Sequence, residues 1–474
     1  MPTSKRSIQW AILLALPTLA ETQSPQRLRL ADALAEADRA AFANREAVGA
    51  VAAADARAAL PLKGILPSAR LETGFLRTTD PIGAFGTQLR QRRATSTAFD
   101  PARLNAPDPI NNVQSGVVLD VPVLNADALS GWMAARTATR ASEAAAQWTN
   151  RQVRYDVVRA YYGAILAGEK VAALARAEAA AHSVVQQVEH MMEQGLVTHA
   201  DALQARVRAA DVTLQLTTAR HDASTATRQL LLLLGRTSPE GATLPLLPNA
   251  LPDDSLVQAL LRQPPTSTAE SPESAALQRD DVRAAQLGLD AARLDAHRAS
   301  ATVLPRVNGF ARYDWHSPAT LYAGRPNWTV GVMASWSLFG GGAELADIAG
   351  AQARMRLATV GREAAAAQAA LEADETARGL SLAESRLDLA ARAATQSREA
   401  RRLVERRYAG GLATIAELLG ADAMATEATL KHAAARYEAI VAVAAHRRAT
   451  GADPAALAQL APASIASITE PTRE

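Results

Sequence analysis

The chain has 474 residues, 49% hydrophobic but only 4% aromatic, with 50 basic against 48 acidic side chains and a formal net charge of +2. It carries no cysteine, which excludes disulfides, a thiolate metal site and a nucleophilic cysteine. Charges of both signs are interspersed and no basic patch carries interleaved aromatics, so no nucleic-acid partner is indicated. Alanine dominates the apolar positions, which suits long, closely packed helices better than a globule with a bulky centre.

Residues 1–20 have the form of a secretory signal. Lys5 and Arg6 give the positive start, Ile8 to Leu16 the apolar run, and Pro17-Thr18-Leu19-Ala20 a small-residue end suited to cleavage after Ala20. That run is too short to span a membrane as a helix, and no other apolar stretch reaches the ~18 residues a span requires.

Beyond the signal, helices are expected over about 30 to 60, from Asn125 to Gln194 and over about 199 to 234. They recur over about 273 to 303, from Gly340 to Ala409 and over about 415 to 450. Proline is absent from Pro122 to Pro239 and again from Pro326 to Pro454. It costs about 3 kcal/mol inside a helix, so these gaps mark long uninterrupted ones. Val153, Val157, Val158, Tyr161, Tyr162 and Ile165 fall on one helical face. Each long helix would measure on the order of 105 Å, and two half-length helices stacked end to end would match it.

The two halves repeat. Leu66-Pro67 precedes the strand-like Ala69 to Phe75, and Leu304-Pro305 precedes the strand-like Val307 to Trp315. Val121-Pro122-Val123-Leu124-Asn125 opens the first long helix and Trp336-Ser337-Leu338-Phe339-Gly340 the second. Gly195-Leu196-Val197-Thr198 is matched by Gly411-Leu412-Ala413-Thr414, each with an acid three positions on, Asp201 and Glu417. A spacing of about 215 residues reads as an internal duplication. The expected organisation is a signal at 1–20, a duplicated unit at 21–450 with halves at about 28–238 and 270–450, and a tail at 451–474 expected to be disordered.

Trp328, Val330, Val332, Ala334, Trp336 and Leu338 alternate with Thr329, Gly331, Met333, Ser335 and Ser337. An apolar face with tryptophan at each end is the pattern of a lipid-facing barrel strand with aromatic girdles. Val307, Gly309, Ala311, Tyr313 and Trp315 alternate likewise, with Phe310 out of pattern, and the Leu71-Thr73-Phe75 and Val117-Leu119-Val121 segments do so more weakly. Four strands cannot close a barrel, so the chain must associate to cover its strand edges.

These features, together with Tyr161-Tyr162, Ser337-Leu338-Phe339-Gly340-Gly341-Gly342, Arg407-Tyr408-Ala409-Gly410-Gly411 and Leu418-Leu419, resemble the TolC-type outer-membrane efflux proteins over about 28 to 450. The resemblance implies a mainly α fold with a small β part. Long α-helical hairpins would form a trimeric helical barrel, and four transmembrane β-strands per chain a shared 12-stranded barrel. It implies an outer-membrane channel with a long periplasmic portion, serving tripartite efflux or type I secretion. The partners implied are two further copies of the chain, a periplasmic adaptor, an inner-membrane transporter and outer-membrane lipid, with no cofactor.

By the same resemblance the tips at Gly195, Leu196, Val197 and Thr198 and at Gly411, Leu412, Ala413 and Thr414 bind the adaptor. Glu417, Asp201 and Tyr408 fall at the pore gate. An arginine expected in the gate latch is replaced by Ala413, and a second acidic ring is lost at Gly420. Three copies of Glu417 crowded together would have raised pKa values. The insertion between Asp80 and Asn112 matches an external loop.

The simpler readings are helix-capping roles for Thr198 and Thr414, a helix-start role for Glu417, and a barrel-to-helix junction for Gly340 to Gly342. His190, Met191, Met192 and His199 lack regular metal-ligand spacing and are expected as surface residues. No catalytic constellation is recognisable, so an enzyme is not expected. The competing reading is an exported coiled-coil scaffold or periplasmic adaptor without a pore.

Overall fold

The computed structural model describes residues 27–237, 245–262 and 271–459. The signal at 1–20 and most of the tail, 460–474, lie outside them. In chain order come α1 (Leu30–Ala40), α2 (Phe42–Ala58), β1 (Ser68–Thr78), α3 (Pro81–Arg90), α4 (Pro101–Asn105) and β2 (Ile110–Leu124). The first long helix α5 (Ala126–Glu193) and its return α6 (His199–Leu233) follow, then α7 (Asp254–Arg262) and α8 (Pro272–Ala276). The second half continues with α9 (Asp280–Ala301), β3 (Arg306–Ser317), β4 (Pro326–Ser335), α10 (Ala343–Ala409) and α11 (Ile415–Ala449).

The long helices have 68 and 67 residues, each about 100 Å at 1.5 Å per residue. The short helices pair with them as the length argument requires. Near α6's end, Gly235 adopts φ +79°, and a Cβ there would stand 2.1 Å from the Ala40 carbonyl oxygen. Near α11's end, Gly451 adopts φ +74° against Arg279 and Arg151. A glycine thus lets each short helix end abut the next in its stack.

Three expectations are corrected at these joints. The helix expected over 30 to 60 is broken at Ala41, whose extended ψ of 134° ends α1, while Asn44 Nδ2 donates to the Ala37 carbonyl. The helix expected over 273 to 303 is interrupted before Asp280, where Arg279 turns inward. The tail expected from 451 is ordered further: a 3-10 turn spans Pro454–Gln459 and buries Leu457 in the central core.

That core forms where α1, α5, α6, α7 and α11 meet. Val157, Val158, Tyr161, Tyr162, Leu230, Leu234, Ile440 and Leu457 pack together there. Tyr161 stands edge-on to Tyr162 at 5.3 Å, and its hydroxyl donates to the Leu28 carbonyl at 2.9 Å.

The four strands form one antiparallel sheet in the order β1-β2-β3-β4, which leaves an outer edge of β1 and of β4 unpaired among the described residues. The register puts Leu71 opposite Val117, Val117 opposite Tyr313, and Tyr313 opposite Trp328 on one face. The opposite face carries Arg70, Glu72, Asp120, Arg312 and Asp314, paired through Arg70–Asp120 at 2.6 Å and Arg312–Glu72 at 3.2 Å. Phe310 lies on this polar face over Gly331, where an added Cβ would come within 2.7 Å of its ring. The missing side chain at Gly331 accommodates the one residue that broke the alternation.

The helix openings also shift. Val121 to Leu124 belong to β2, with an irregularity between Pro122 and Leu124, and α5 begins only after Asn125. β4 stops at Ser335, and Gly341 and Gly342 make the turn into α10 with positive φ.

Candidate functional site

The two hairpin tips are built alike because their sequences dictate the same pair of helix-end devices. Gly195 and Gly411, at φ +71° and +72°, follow the last turns of α5 and α10. Leu196 N–H donates to the Met191 carbonyl at 2.9 Å, and Leu412 N–H to the Arg407 carbonyl at 2.7 Å. Both close the helix end by a bond that a glycine in the left-handed conformation permits.

Thr198 and Thr414 then start the return helices with reciprocal capping boxes. Thr198 N–H donates to Asp201 Oδ2 at 2.9 Å, and Thr414 N–H to Glu417 Oε2 at 2.7 Å. The threonine hydroxyls accept in return from Asp201 and Glu417 N–H, each at 3.3 Å. Both threonines therefore cap, as the simpler reading had it.

These bonds set the electrostatics of the protomer. The Thr414 N–H bond, then the Thr414 hydroxyl and the nearby Arg407, hold Glu417 below the usual carboxylate range. The Thr198 hydroxyl and N–H do the same for Asp201. The direction in a single protomer is thus opposite to the rise expected of a crowded ring, because the carboxylate is solvated and hydrogen-bonded.

Tyr408 is buried, and its hydroxyl reaches Met191 Sδ at 3.9 Å rather than Asp201. Burial, then the Asp201 charge, raises its pKa. Val188, Ala202, Ala205, Tyr408, Ile415 and Leu418 form an apolar cluster joining the tips, with Met191, Met192, Val197 and Ala413 packed against it. Ala413 therefore adds apolar contact where a charged latch partner was expected. Leu196 and Leu412 remain exposed at the ends of the hairpins.

The structure takes the methionines of the His-Met group into this cluster. His190 pairs with Gln194 at 2.9 Å, while His199 is exposed. Gly420 lies within α11, with open space where a Cβ would project.

Sequence reading missed a second constellation at the joint of the second stack. Arg279 has a side chain only 2% exposed and pairs with Asp281 at 2.7 Å and Glu372 at 2.8 Å. Its guanidinium lies 4.3 Å from the Trp148 ring centroid. Arg448 shares Glu372 at 3.4 Å and faces the same indole. The cluster ties α5, α9, α10 and α11 together. Its signal was available: Gly235 and Gly451 stand as far apart as Gly195 and Gly411, so the duplication also marked the joints.

The family model for outer membrane efflux proteins matches residues 45–236 and 271–452, one segment for each half. The chain belongs to the outer membrane efflux protein family. Its role is therefore efflux at the outer membrane.

Solved structures agree in fold with this efflux protein. The CmeC outer membrane channel of Campylobacter jejuni superposes with a TM-score of 0.75 at 16% identity, covering 95% of this chain and 94% of that one. The outer membrane protein VceC of Vibrio cholerae gives 0.73 at 18% identity, covering 89% and 96%. The open state of the MtrE channel of Neisseria gonorrhoeae gives 0.70 at 19% identity, covering 90% and 89%. No protein of curated function matches the sequence. Among the described residues no helix is long and apolar enough to cross a membrane.

Proposed function

We propose that three copies of this efflux protein close a 12-stranded barrel in the outer membrane and continue as a helical tunnel through the periplasm. The observation that carries this reading is the open four-stranded sheet. Its free β1 and β4 edges need partners, and its unpaired apolar face is solvent-exposed in one protomer, with Trp328 at 74%, Leu71 at 72% and Val332 at 73%. β1 has 11 residues and β4 has 10, the length a tilted barrel strand needs to cross the hydrocarbon layer. Trp336 hydrogen-bonds the Val303 carbonyl at the helical end of the band, an interfacial position suited to indole.

The tips at Gly195 to Thr198 and Gly411 to Thr414 dock the adaptor through exposed Leu196 and Leu412, and the adaptor links the tunnel to an inner-membrane transporter of an efflux or type I secretion system. Asp201, Tyr408 and Glu417 make the gate at the tunnel entrance. The scaffold reading has no use for a Trp-flanked, outward apolar sheet face.

Mass measurement of the detergent-purified protein tests the assembly, with a trimer expected. A monomer that inserts into bilayers and conducts would overturn it.

A further inference from the structure

We propose that the outer mouth of the channel carries an anion-binding constriction built by α3 and presenting Arg90, Arg92 and Arg93, an inference that rests on the channel reading above. The segment between β1 and β2 is folded. Asp80 accepts the Gly83 N–H and starts α3, Asp100 accepts the Ala102 N–H and starts α4, and Phe85 stands edge-on to Phe99 at 5.4 Å.

The end of α3 sits on the polar face of the sheet. Gln91 is buried and its Nε2 donates to the Asn111 carbonyl at 2.9 Å and to Asn112 Oδ1 at 3.1 Å. Asn112 bonds His316 Nδ1 at 3.1 Å, and Asn327 Nδ2 donates to the Arg90 carbonyl at 3.5 Å. Asn112, His316 and Asn327 come from three strands and share the face of Arg312 and Asp314. In a closed barrel with its apolar face to lipid, that face lines the pore, and α3 crosses it at the end remote from the helices.

Arg92 and Tyr322 are the two non-glycine residues with positive φ among the described residues, and Arg92 is the one at a helix end. The ends of α5, α6, α10 and α11 all pass through glycine at positive φ, at Gly195, Gly235, Gly411 and Gly451. α3 ends with the same bonding, Arg93 N–H to the Gln88 carbonyl at 2.9 Å, but the left-handed position at φ +55° is Arg92. A side chain there costs about 1 kcal/mol, and strain held at one residue points to a use for that side chain. Arg92 reaches the Pro326 carbonyl at 3.4 Å, which sets its guanidinium at the outer end of β4.

Charge completes the case. Deeper on the same face the arginines are paired, Arg70 with Asp120 and Arg312 with Glu72. Arg90, Arg92 and Arg93 are exposed and form no ion pair among the described residues, while the nearby Asp80 and Asp100 are engaged by backbone N–H groups. Three such arginines from each of three protomers surround the exit. Exposed guanidinium groups at the mouth attract anions and bind carboxylates and phosphates in two-pronged fashion, offsetting part of the cation preference that the Glu417 ring sets at the other end. The ligand class is therefore solutes bearing carboxylate or phosphate groups.

The test is planar-bilayer recording of the full-length trimer with inorganic triphosphate added to the loop side or the helical side. The wild type should be blocked from the loop side at lower concentration than from the helical side. Arg92→Gly removes the guanidinium and relieves the backbone, so the fold is not at risk. Combined with Arg90→Gln, it should weaken loop-side block at least about tenfold and shift the reversal potential toward cations. Current that flows normally in both proteins with unchanged block and reversal potential overturns the constriction and leaves the channel intact. A wild type that passes no current overturns both readings.

Discussion

Thr414 and Glu417 hold each other: the Glu417 carboxylate accepts the Thr414 N–H at 2.7 Å, and the Thr414 hydroxyl accepts the Glu417 N–H at 3.3 Å. The proposed gate carboxylate is thus fixed at the first turn of α11 by its own helix start. Its direction is set before any neighbouring protomer arrives.

This pairing makes Glu417→Gln a clean probe. Glutamine serves the same capping position, so the helix start should persist while the charge disappears. Cation selectivity in a potassium chloride gradient should fall, and an unchanged reversal potential would remove Glu417 from the constriction. The Glu417 pKa lies below its ordinary 4.5, a depression that favours the folded helix start above that pH and is lost on acidification. If these bonds within each protomer govern the assembled ring, wild-type selectivity should hold down to about pH 4.5, whereas carboxylates crowded closely enough to raise the pKa would lose it at higher pH.

At the tips, Gly195→Ala and Gly411→Ala meet no steric obstacle, since nothing lies within 4 Å of either new Cβ. Their effect should come from the left-handed backbone alone, about 1 kcal/mol at each turn. Larger replacements should abolish efflux while trimer mass and membrane insertion stay unchanged. Transport that survives both replacements would dissociate the tips from docking.

Arg279→Ala leaves the Asp281 carboxylate without its cation, and leaves Glu372 and the Trp148 face to Arg448 alone. Breaking a buried pair this way should cost about 3–5 kcal/mol, read as a lower denaturation midpoint of the solubilised protein. Burial pushes the Glu372 pKa up, but Arg279 and Gln368 hydrogen bonds outweigh it and hold it below 4.5. The cluster's contribution is therefore present above pH 4.5 and lost below it. A variant that denatures like the wild type at pH 7 would show that the Arg279 cluster does not secure the joint.

Burial pushes the Tyr162 hydroxyl up to about 12 from its ordinary 10.0, and Tyr161 is raised also, by burial and by Tyr162. A raised pKa means the unfolded chain loses its proton first, so stability should fall as pH rises through the window from about 10 to about 12. For Tyr162 the loss should approach roughly 2 to 3 kcal/mol. Tyr162→Phe should flatten this limb of the denaturation profile, and an unaltered alkaline slope would assign the loss elsewhere.

What the sequence determined by itself follows from local rules. Proline gaps and helical periodicity gave α5 and α10 to within a few residues, and alternation gave the sheet's apolar face. The Gly-x-x-Thr-x-x-acid spacing fixed both tips, because a left-handed glycine and a capping box act within one turn of chain. Tertiary structure alone decided the rest. The broken helices at Ala41 and Arg279 arise from another helix's end arriving beside them, at Gly235 and Gly451. The burial of Leu457 in a segment read as tail, and of Arg279 among Asp281, Glu372 and Trp148, depends on partners far apart in the chain. Phe310 fits the polar face only because Gly331 lies beside it in the register. Such contacts carry no periodic signature: they are set by which surfaces the folded hairpins bring together, which neighbours along the chain do not specify.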